Sequence, residues 1–531
     1  MSPCATCAAG HDRNTSHRLA TGFTGAADRI SGPRHTRRKD LAVTAPYPAI
    51  RQYIAGEWQE GQGDGYTTVL NPSSETPLAE VRHVSAAQLD RALEAVRETA
   101  RPWRRTSPTE RSAILRRAAS LLRERCGDIA RTLVLEQGKP LREAHAEVLV
   151  SADMLDWYAE EGRRAYGRVV PGEHGTRLSV IPEPIGPVAA FTPWNFPATS
   201  SVRKLGGALA AGCPIILKPS EETPGTVAEL FRALADAGLP PGVAHMVLGD
   251  PAGVSAHLLA DPVIRKLSLT GSAAVGRELS HLAVEANIVT TMELGGNAPV
   301  LIFPDVSVEA VAEACAKAKF RNAGQVCNVP SRFFVHESAS AEFAEAFASI
   351  ASGLRVGDGL ASGVEMGPLA NARRRDAVEA MVDEAAEQGA RILAGGGRLE
   401  GPGFFFTPTV LGDVGERHRV FSDEVFGPVV PITTFRDEDE AVQRANDTDY
   451  GLGAFVFTES LATATRVSED LEAGVVGVNT TVLSRVETPF GGVKASGHGQ
   501  ESGSEGLDAY LVRKAVLQHP PLTANITKGS T

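Results

Sequence analysis

Nowhere does this 531-residue chain approach the roughly 20 consecutive apolar residues that a bilayer-spanning helix needs, so a membrane-embedded protein is excluded. Cysteine is scarce. The six, Cys4, Cys7, Cys126, Cys213, Cys315 and Cys327, are scattered rather than spaced as a disulfide framework, which fits a reducing, cytoplasmic setting. Cys4-x-x-Cys7 with His11 lacks a second ligand pair at finger spacing, and no metal is expected there. Positive charge is in deficit, with 53 Lys and Arg against 64 Asp and Glu and a net charge of -11, which argues against nucleic acid as a partner. Fixed-period repeats and low-complexity blocks are missing from the body of the chain.

What is present is a long, soluble, two- or three-domain composition, 43% hydrophobic and 22% charged. Residues 1–45 stand apart. Arg13, Arg18, Arg29, Arg34, Arg37, Arg38 and Lys39 face only Asp12, Asp28 and Asp40, without apolar periodicity, and a disordered extension is expected. A plain extension, an organelle-targeting segment and a start site placed too early all remain open there. From Ile54 onward amphipathic helices are expected near 86–101, 107–126 and 128–136. Short apolar strands then alternate with Ala-rich helices: 187–191, 215–218, 245–248, 266–269 and 299–303, followed by 333–336, 429–435, 454–457 and 475–479. This alternation predicts parallel sheets with right-handed crossovers, in two α/β domains meeting near Glu293.

Glu293-Leu294-Gly295-Gly296-Asn297 and Gly324-Gln325-Val326-Cys327 offer a carboxylate and a thiol. A thiol can attack a carbonyl and a carboxylate can activate water to release the product, so the pair suggests covalent acyl chemistry. Pro193-Trp194-Asn195-Phe196-Pro197 follows a strand and precedes a helix, which puts Asn195 at the carboxyl end of a parallel strand, where open α/β sheets bind ligands. Its amide could donate to an oxyanion or simply shape a turn. Lys218-Pro219-Ser220-Glu221 follows the next strand, and Leu269-Thr270-Gly271-Ser272 opens the helix containing Val275 and Gly276. A helix start after a Gly turn attracts phosphate, although Gly271-x-x-x-x-Gly276 is a weak signal alone.

In this order, together with Glu424-Val425-Phe426-Gly427-Pro428 and Pro489-Phe490-Gly491-Gly492, these segments resemble the aldehyde dehydrogenase superfamily from about residue 50 to about 520, most of all its NAD-dependent succinate-semialdehyde dehydrogenases. The resemblance implies an α/β fold with a Rossmann-type NAD-binding domain (46–161 and 182–292) and an α/β catalytic domain (293–488). It also implies a small β oligomerisation flap (162–181 and 507–518), with 489–506 and 519–531 as connecting and tail segments, and a homodimer or homotetramer. It makes Cys327 the nucleophile, Asn195 with the Cys327 N–H the oxyanion donors, and Glu293 the base that hydrolyses the thioester. No His flanks Cys327, so its activation is expected from local N–H groups and the cofactor's positive ring.

For the cofactor, the resemblance assigns Lys218 and Glu221 to the adenosine ribose, Ser272 to the pyrophosphate, Glu424 to the nicotinamide ribose, and Trp194 and Phe426 to apolar walls, with Ser220, Gly271 and Val275 as further cofactor-binding residues. A carboxylate at Glu221 accepts from a ribose 2′-OH and repels a 2′-phosphate, so NAD is expected ahead of NADP. Arg203 and Arg321 match carboxylate anchors of succinate-semialdehyde dehydrogenases. Arg485 departs from that subfamily, where a small hydroxyl residue is expected; it either adds a cationic contact or fills space. Cys327-Asn328-Val329-Pro330 also lacks a second cysteine, so a redox-switch disulfide in that loop is not expected. The leading expectation is oxidation of a small carboxylate-bearing aldehyde, succinate semialdehyde first, with glutarate semialdehyde, aromatic or aliphatic aldehydes as alternatives. A catalytically silent binding protein on the same fold is the remote one.

Overall fold

The computed structural model describes residues 47–519. The expectations for residues 1–45, including Cys4, Cys7 and His11, and for the tail beyond residue 519 lie outside the described residues.

The first helices begin where side chains can satisfy the free N–H groups of a helix start. Ser85 and Gln88 form a reciprocal capping box at Ala86–Arg105, and Ser107 and Glu110 do the same at Pro108–Glu124, with Pro108 in the first turn. Behind them, a sheet reads in spatial order Glu57–Gln59, Gln52–Ile54, Ala244–Met246, Ile215–Lys218, Val188–Phe191, Lys266–Thr270, Val289–Glu293 and Gly497–His498. The central five are parallel. Val188–Phe191 and Ile215–Lys218 are buried at every residue, as strands covered by helices on both faces must be. Chain order reverses between Val188–Phe191 and Lys266–Thr270, which makes their carboxyl ends the ligand crevice of a doubly wound sheet.

The second sheet runs Arg391–Ala394, Thr409–Gly412, Val429–Phe435, Arg332–His336, Pro299–Ile302, Gly453–Phe457 and Val475–Val478. All but the antiparallel Arg391–Ala394 pair in parallel. Edge-on aromatic contacts such as Phe333 to Phe347 (5.4 Å between centroids) and Phe320 to Phe347 (5.9 Å) pack helices beneath it, each adding roughly 0.5–1.5 kcal/mol beyond burial. A separate three-stranded antiparallel sheet joins Arg168–Val170, Arg177–Pro184 and Leu511–Gln518.

The chain leaves the first sheet at Glu293, and Pro299–Ile302 lies at the centre of the second. Three elements differ from the sequence expectation. The segment expected only to connect supplies Gly497–His498 as an antiparallel edge of the first sheet. Helix Leu141–Glu161 and strand Val289–Glu293 went unrecognised: the helix buries Glu147 among its apolar contacts, and the strand begins with exposed Val289, which blurs both patterns.

Candidate active site

The carboxyl edge of the first sheet turns sharply twice. After Phe191 the chain passes through Trp194 and Asn195 into helix Pro197–Ala211, whose first residue is a proline. Asn195 is buried, and its Nδ2 donates to the Gln325 carbonyl at 3.0 Å. After Thr270 the chain passes through Gly271 to Ser272, whose hydroxyl accepts the Val275 N–H (3.3 Å) and caps helix Ala273–Glu285. Gly276 serves packing: a Cβ there would lie 2.6 Å from Leu294 side-chain carbons.

From the second sheet, helix Val308–Phe320 ends in a turn where Asn322, Ala323 and Gly324 all take left-handed φ values of 50°, 53° and 74°. Only glycine fits at the third, since a Cβ would stand 2.1 Å from the Gly427 carbonyl oxygen. This turn delivers Cys327 to the first sheet's edge. Gly295 and Gly296 let the segments close up: a Cβ at the former would meet Glu424 Oε2 at 2.3 Å, and at the latter the Cys327 carbonyl at 2.5 Å. Glu424 Oε1 accepts the Gly296 N–H at 3.0 Å. Phe426, itself at φ 49°, packs edge-on against Trp194 with centroids 5.5 Å apart.

Between the two edges lies a cavity of about 1680 Å³. Cys327, Glu293 and Asn195 line it together; so do Trp194, Gly271, Ser272, Glu424 and Phe426. Lys218, Ser220, Glu221 and Val275 do not. Lys218 Nζ instead donates to Glu221 Oε1 (2.7 Å), Ser220 bonds to Glu222, and Val275 exposes its side chain while giving its N–H to Ser272.

Burial pushes the half-buried Cys327 thiol up to about 12, against the pull of Arg203; Glu293 and Glu424 add to the rise. Glu293 is buried, and neither of its oxygens has a hydrogen-bond partner among the described residues. Burial, then the nearby Glu501 carboxylate, hold it well above the ordinary carboxyl range. Glu424 is pushed to about 7 by burial. Glu501 is bridged to Lys204 Nζ (2.5 Å), which also donates to Thr270 Oγ1 (2.8 Å). Sequence reasoning passed over Lys204 and Glu501, although a lone lysine in the Ala-rich Pro197–Ala211 helix is a visible signal of a buried partner.

The aldehyde dehydrogenase family model matches residues 58–516. The chain belongs to this family. It is 44% identical over 472 residues to the 4-(hydroxymethyl)benzenesulfonate dehydrogenase of Comamonas testosteroni, covering 89% of this chain and 98% of that one. It is 41% identical to the NADP-linked succinate-semialdehyde dehydrogenase of Escherichia coli K12, covering 86% and 95%. The crystal structure of succinate-semialdehyde dehydrogenase from Burkholderia pseudomallei superposes with a TM-score of 0.88 at 41% identity, covering 90% of this chain and all of that one.

As an aldehyde dehydrogenase, the protein is an oxidoreductase acting on aldehydes in an NAD(P)-using family. The crevice between Val188–Phe191 and Lys266–Thr270 fits a dinucleotide: it opens into the cavity, carries the capped helix start at Ser272, and is flanked by the Trp194–Phe426 pair. Three arginines of this aldehyde dehydrogenase expected from sequence at the substrate, Arg203, Arg321 and Arg485, line the same cavity, as do Arg142 and Arg374. Arg203 is nine-tenths buried, donates to Ser484 Oγ (2.7 Å) and lies 4.5 Å above the Phe490 ring, while its Nε finds no acceptor. Arg321 and Arg485 are exposed to the cavity, the former 5.4 Å from the Phe196 centroid. None of the three pairs with a carboxylate among the described residues. No helix among them is long and apolar enough to cross a membrane.

Proposed function

We propose that this aldehyde dehydrogenase oxidises a small aldehyde with an anionic tail, succinate semialdehyde to succinate first, using NAD. The observation that carries this is Arg203: a buried guanidinium with an unsatisfied Nε and no acidic partner invites an anion. Each charged hydrogen bond to such a tail contributes about 1.5–3 kcal/mol, enough to favour an acid over an alkyl chain. Arg321 extends the same positive wall.

The Cys327 sulfur, as thiolate, attacks the aldehyde carbon; a C–S bond forms and the carbonyl oxygen becomes an oxyanion held by Asn195 Nδ2 and the Cys327 N–H. Bound NAD supplies the acceptor for the hydride that leaves this carbon. Glu293, as carboxylate, takes a proton from water; the oxygen adds to the thioester carbon, the C–S bond breaks and the acid departs. The bare oxygens of Glu293 suit a group whose partner is a transient water. Glu293 also argues against acyl transfer to a thiol cofactor, which needs no such base. The chemistry-bearing trio argues against a silent binder.

In this reading 46–161 and 182–292 bind the dinucleotide and 293–488 carries the aldehyde chemistry. The strands around 162–181 and 507–518, with exposed Val169 and Leu517, pair subunits into a dimer or tetramer. The free described cysteines suit a cytoplasmic setting. Lys218, Ser220 and Glu221 take the adenosine ribose once Lys218 and Glu221 release each other, and Glu221 disfavours a 2′-phosphate. Val275 contributes backbone only.

A second reading follows from Arg485. Arg485 adds to Arg203 and Arg321 a third guanidinium without a carboxylate partner among the described residues, which suits a sulfonate as well as a carboxylate, and the Comamonas relative is named for a benzenesulfonate substrate. A steady-state panel pairing carboxylated, sulfonated and neutral aldehydes of matched length, with NAD and NADP in parallel, decides among these. Arg203→Ala should raise KM for the anionic members about 10–100-fold more than for the neutral ones. Equal effects would remove the anionic-tail claim.

A further inference from the structure

We propose that the start of helix Leu141–Glu161, with the residue pair just before it, is a clamp that positions the Asn195 amide against the Cys327 turn; the inference rests on Asn195 being the oxyanion donor. Glu143 and Glu147 stand four apart on one face of the helix, and Lys139 lies two residues before its start. Each reaches a different part of the two loops that build the site.

Lys139 Nζ donates to Glu147 Oε2 at 2.6 Å and to the Asn195 carbonyl at 2.8 Å, with both side chains essentially out of solvent (0% and 1% exposed). Glu147 Oε1 accepts the Ala198 and Thr199 N–H groups at 3.0 and 3.4 Å, otherwise free donors of a helix start. The pair therefore holds the chain on both sides of Asn195. Glu143 Oε2 accepts the Asn322 N–H at 2.8 Å, at the first left-handed residue of the turn that leads to Cys327. Between these grips, Asn322 Nδ2 donates to the carbonyls of Asn195 (3.0 Å) and Gln325 (3.2 Å), and Asn195 Nδ2 gives one hydrogen to Gln325 O. An amide nitrogen carries two hydrogens, so fixing one leaves the second in a set direction for the substrate oxygen.

Stability alone does not call for a buried ion pair here, since apolar side chains of similar volume commonly serve a core as well or better. What apolar side chains cannot do is fix the Asn195 carbonyl and the N–H groups after it in one orientation. Misplacing a reacting group by about 1 Å can cost on the order of 10²-fold in rate.

The test compares Lys139→Met/Glu147→Leu with the parent enzyme and with Asn195→Ala. Four readouts are taken: kcat, KM for NAD, thermal midpoint, and the rate at which iodoacetamide alkylates Cys327, a reaction that needs the thiol but no oxyanion donor. The double variant should keep its thermal midpoint, its KM for NAD and its alkylation rate while kcat falls about 10–100-fold. Unchanged kcat overturns the clamp, and so does a kcat loss matched by equal losses in alkylation and NAD affinity. Normal kcat in Asn195→Ala would overturn the oxyanion assignment itself, a separate failure. If the double variant does not fold, Glu143→Ala carries the test: kcat should fall at least about 5-fold with KM for NAD unchanged, and a parental kcat overturns the proposal.

Discussion

The two large sheets follow the same parallel grammar yet meet the cavity with opposite edges. The first presents its carboxyl edge, through the loops after Phe191, Thr270 and Glu293. The second presents its amino edge, through the loops before Arg332 and Val429. Loops leaving a strand in such folds run into helix starts, as at Pro197 and Ala273, where free N–H groups favour negative charge. Loops entering a strand come off helix ends, as after Phe320, where carbonyls oppose it. Cys327, the proposed nucleophile, therefore stands on the electrostatically unhelpful edge, and burial separately pushes its thiol up to about 12. Arg203 on the facing edge and the backbone N–H of Cys327 itself pull the other way.

Removing the nucleophile is the severest way to separate the two edges. Cys327→Ala should lower kcat by at least about 10⁴-fold, while NAD binding, followed by protein fluorescence, stays within about 2-fold of the parent. Loss of NAD binding as well would mean that the edges do not work independently.

Glu293 ends a strand of the first sheet but, in the proposed reaction, serves the thioester on the second sheet's sulfur. Glu293→Gln should preserve a single-turnover burst of NADH and cut the steady-state rate about 10²–10⁴-fold, because only release of the acid needs the base. The pH profile carries the sign. In the proposed reaction the base works as carboxylate, and burial plus Glu501 raise its ionisation well above the usual carboxyl range, so the parent rate should climb with pH above the range where an ordinary carboxyl has already ionised. In the Gln variant that climb should vanish.

If the first edge supplies the missing positive charge, NAD should speed iodoacetamide alkylation of Cys327 at pH 8 by at least about 10-fold, the equivalent of one unit in thiol acidity. An unchanged rate would show that the thiol is activated from within its own loop.

How far this contrast can be read from sequence depends on which edge is considered. Strand cores such as Ile215–Lys218 declare themselves by apolar runs, Asn195 by its proline-flanked turn, and Glu293 and Cys327 by nearby glycines. The first edge follows from a general rule for parallel sheets; nothing in strand periodicity says that the second is used in reverse. The reversal depends on Asn322, Ala323 and Gly324 all turning left-handed, and although Asn and Gly favour that region, Ala323 does not, so the run does not announce itself. Lys139, Glu147, Lys204 and Glu501 escaped for another reason: buried ion pairs look like surface charges until their partners, remote in sequence, are in place.

The smallest effect tests why the second sheet's carboxyl edge is not used. Its chain order reverses between Pro299–Ile302 and Gly453–Phe457, so a crevice for a ligand belongs just beyond Ile302 and Phe457. There Asp305 Oδ2 accepts the Thr458 hydroxyl (2.8 Å) and the N–H groups of Glu459 and Ser460 (3.0 and 3.1 Å), just before helix Leu461–Asp470. The protein's own carboxylate takes the donors that an anion would otherwise meet. Asp305→Ala should lower the thermal midpoint by only about 1–4 °C, in line with loss of a helix-start cap, and leave kcat and both KM values within about 2-fold. A large loss of activity would mean that the two edges of the second sheet are coupled and that its carboxyl end is part of the working site.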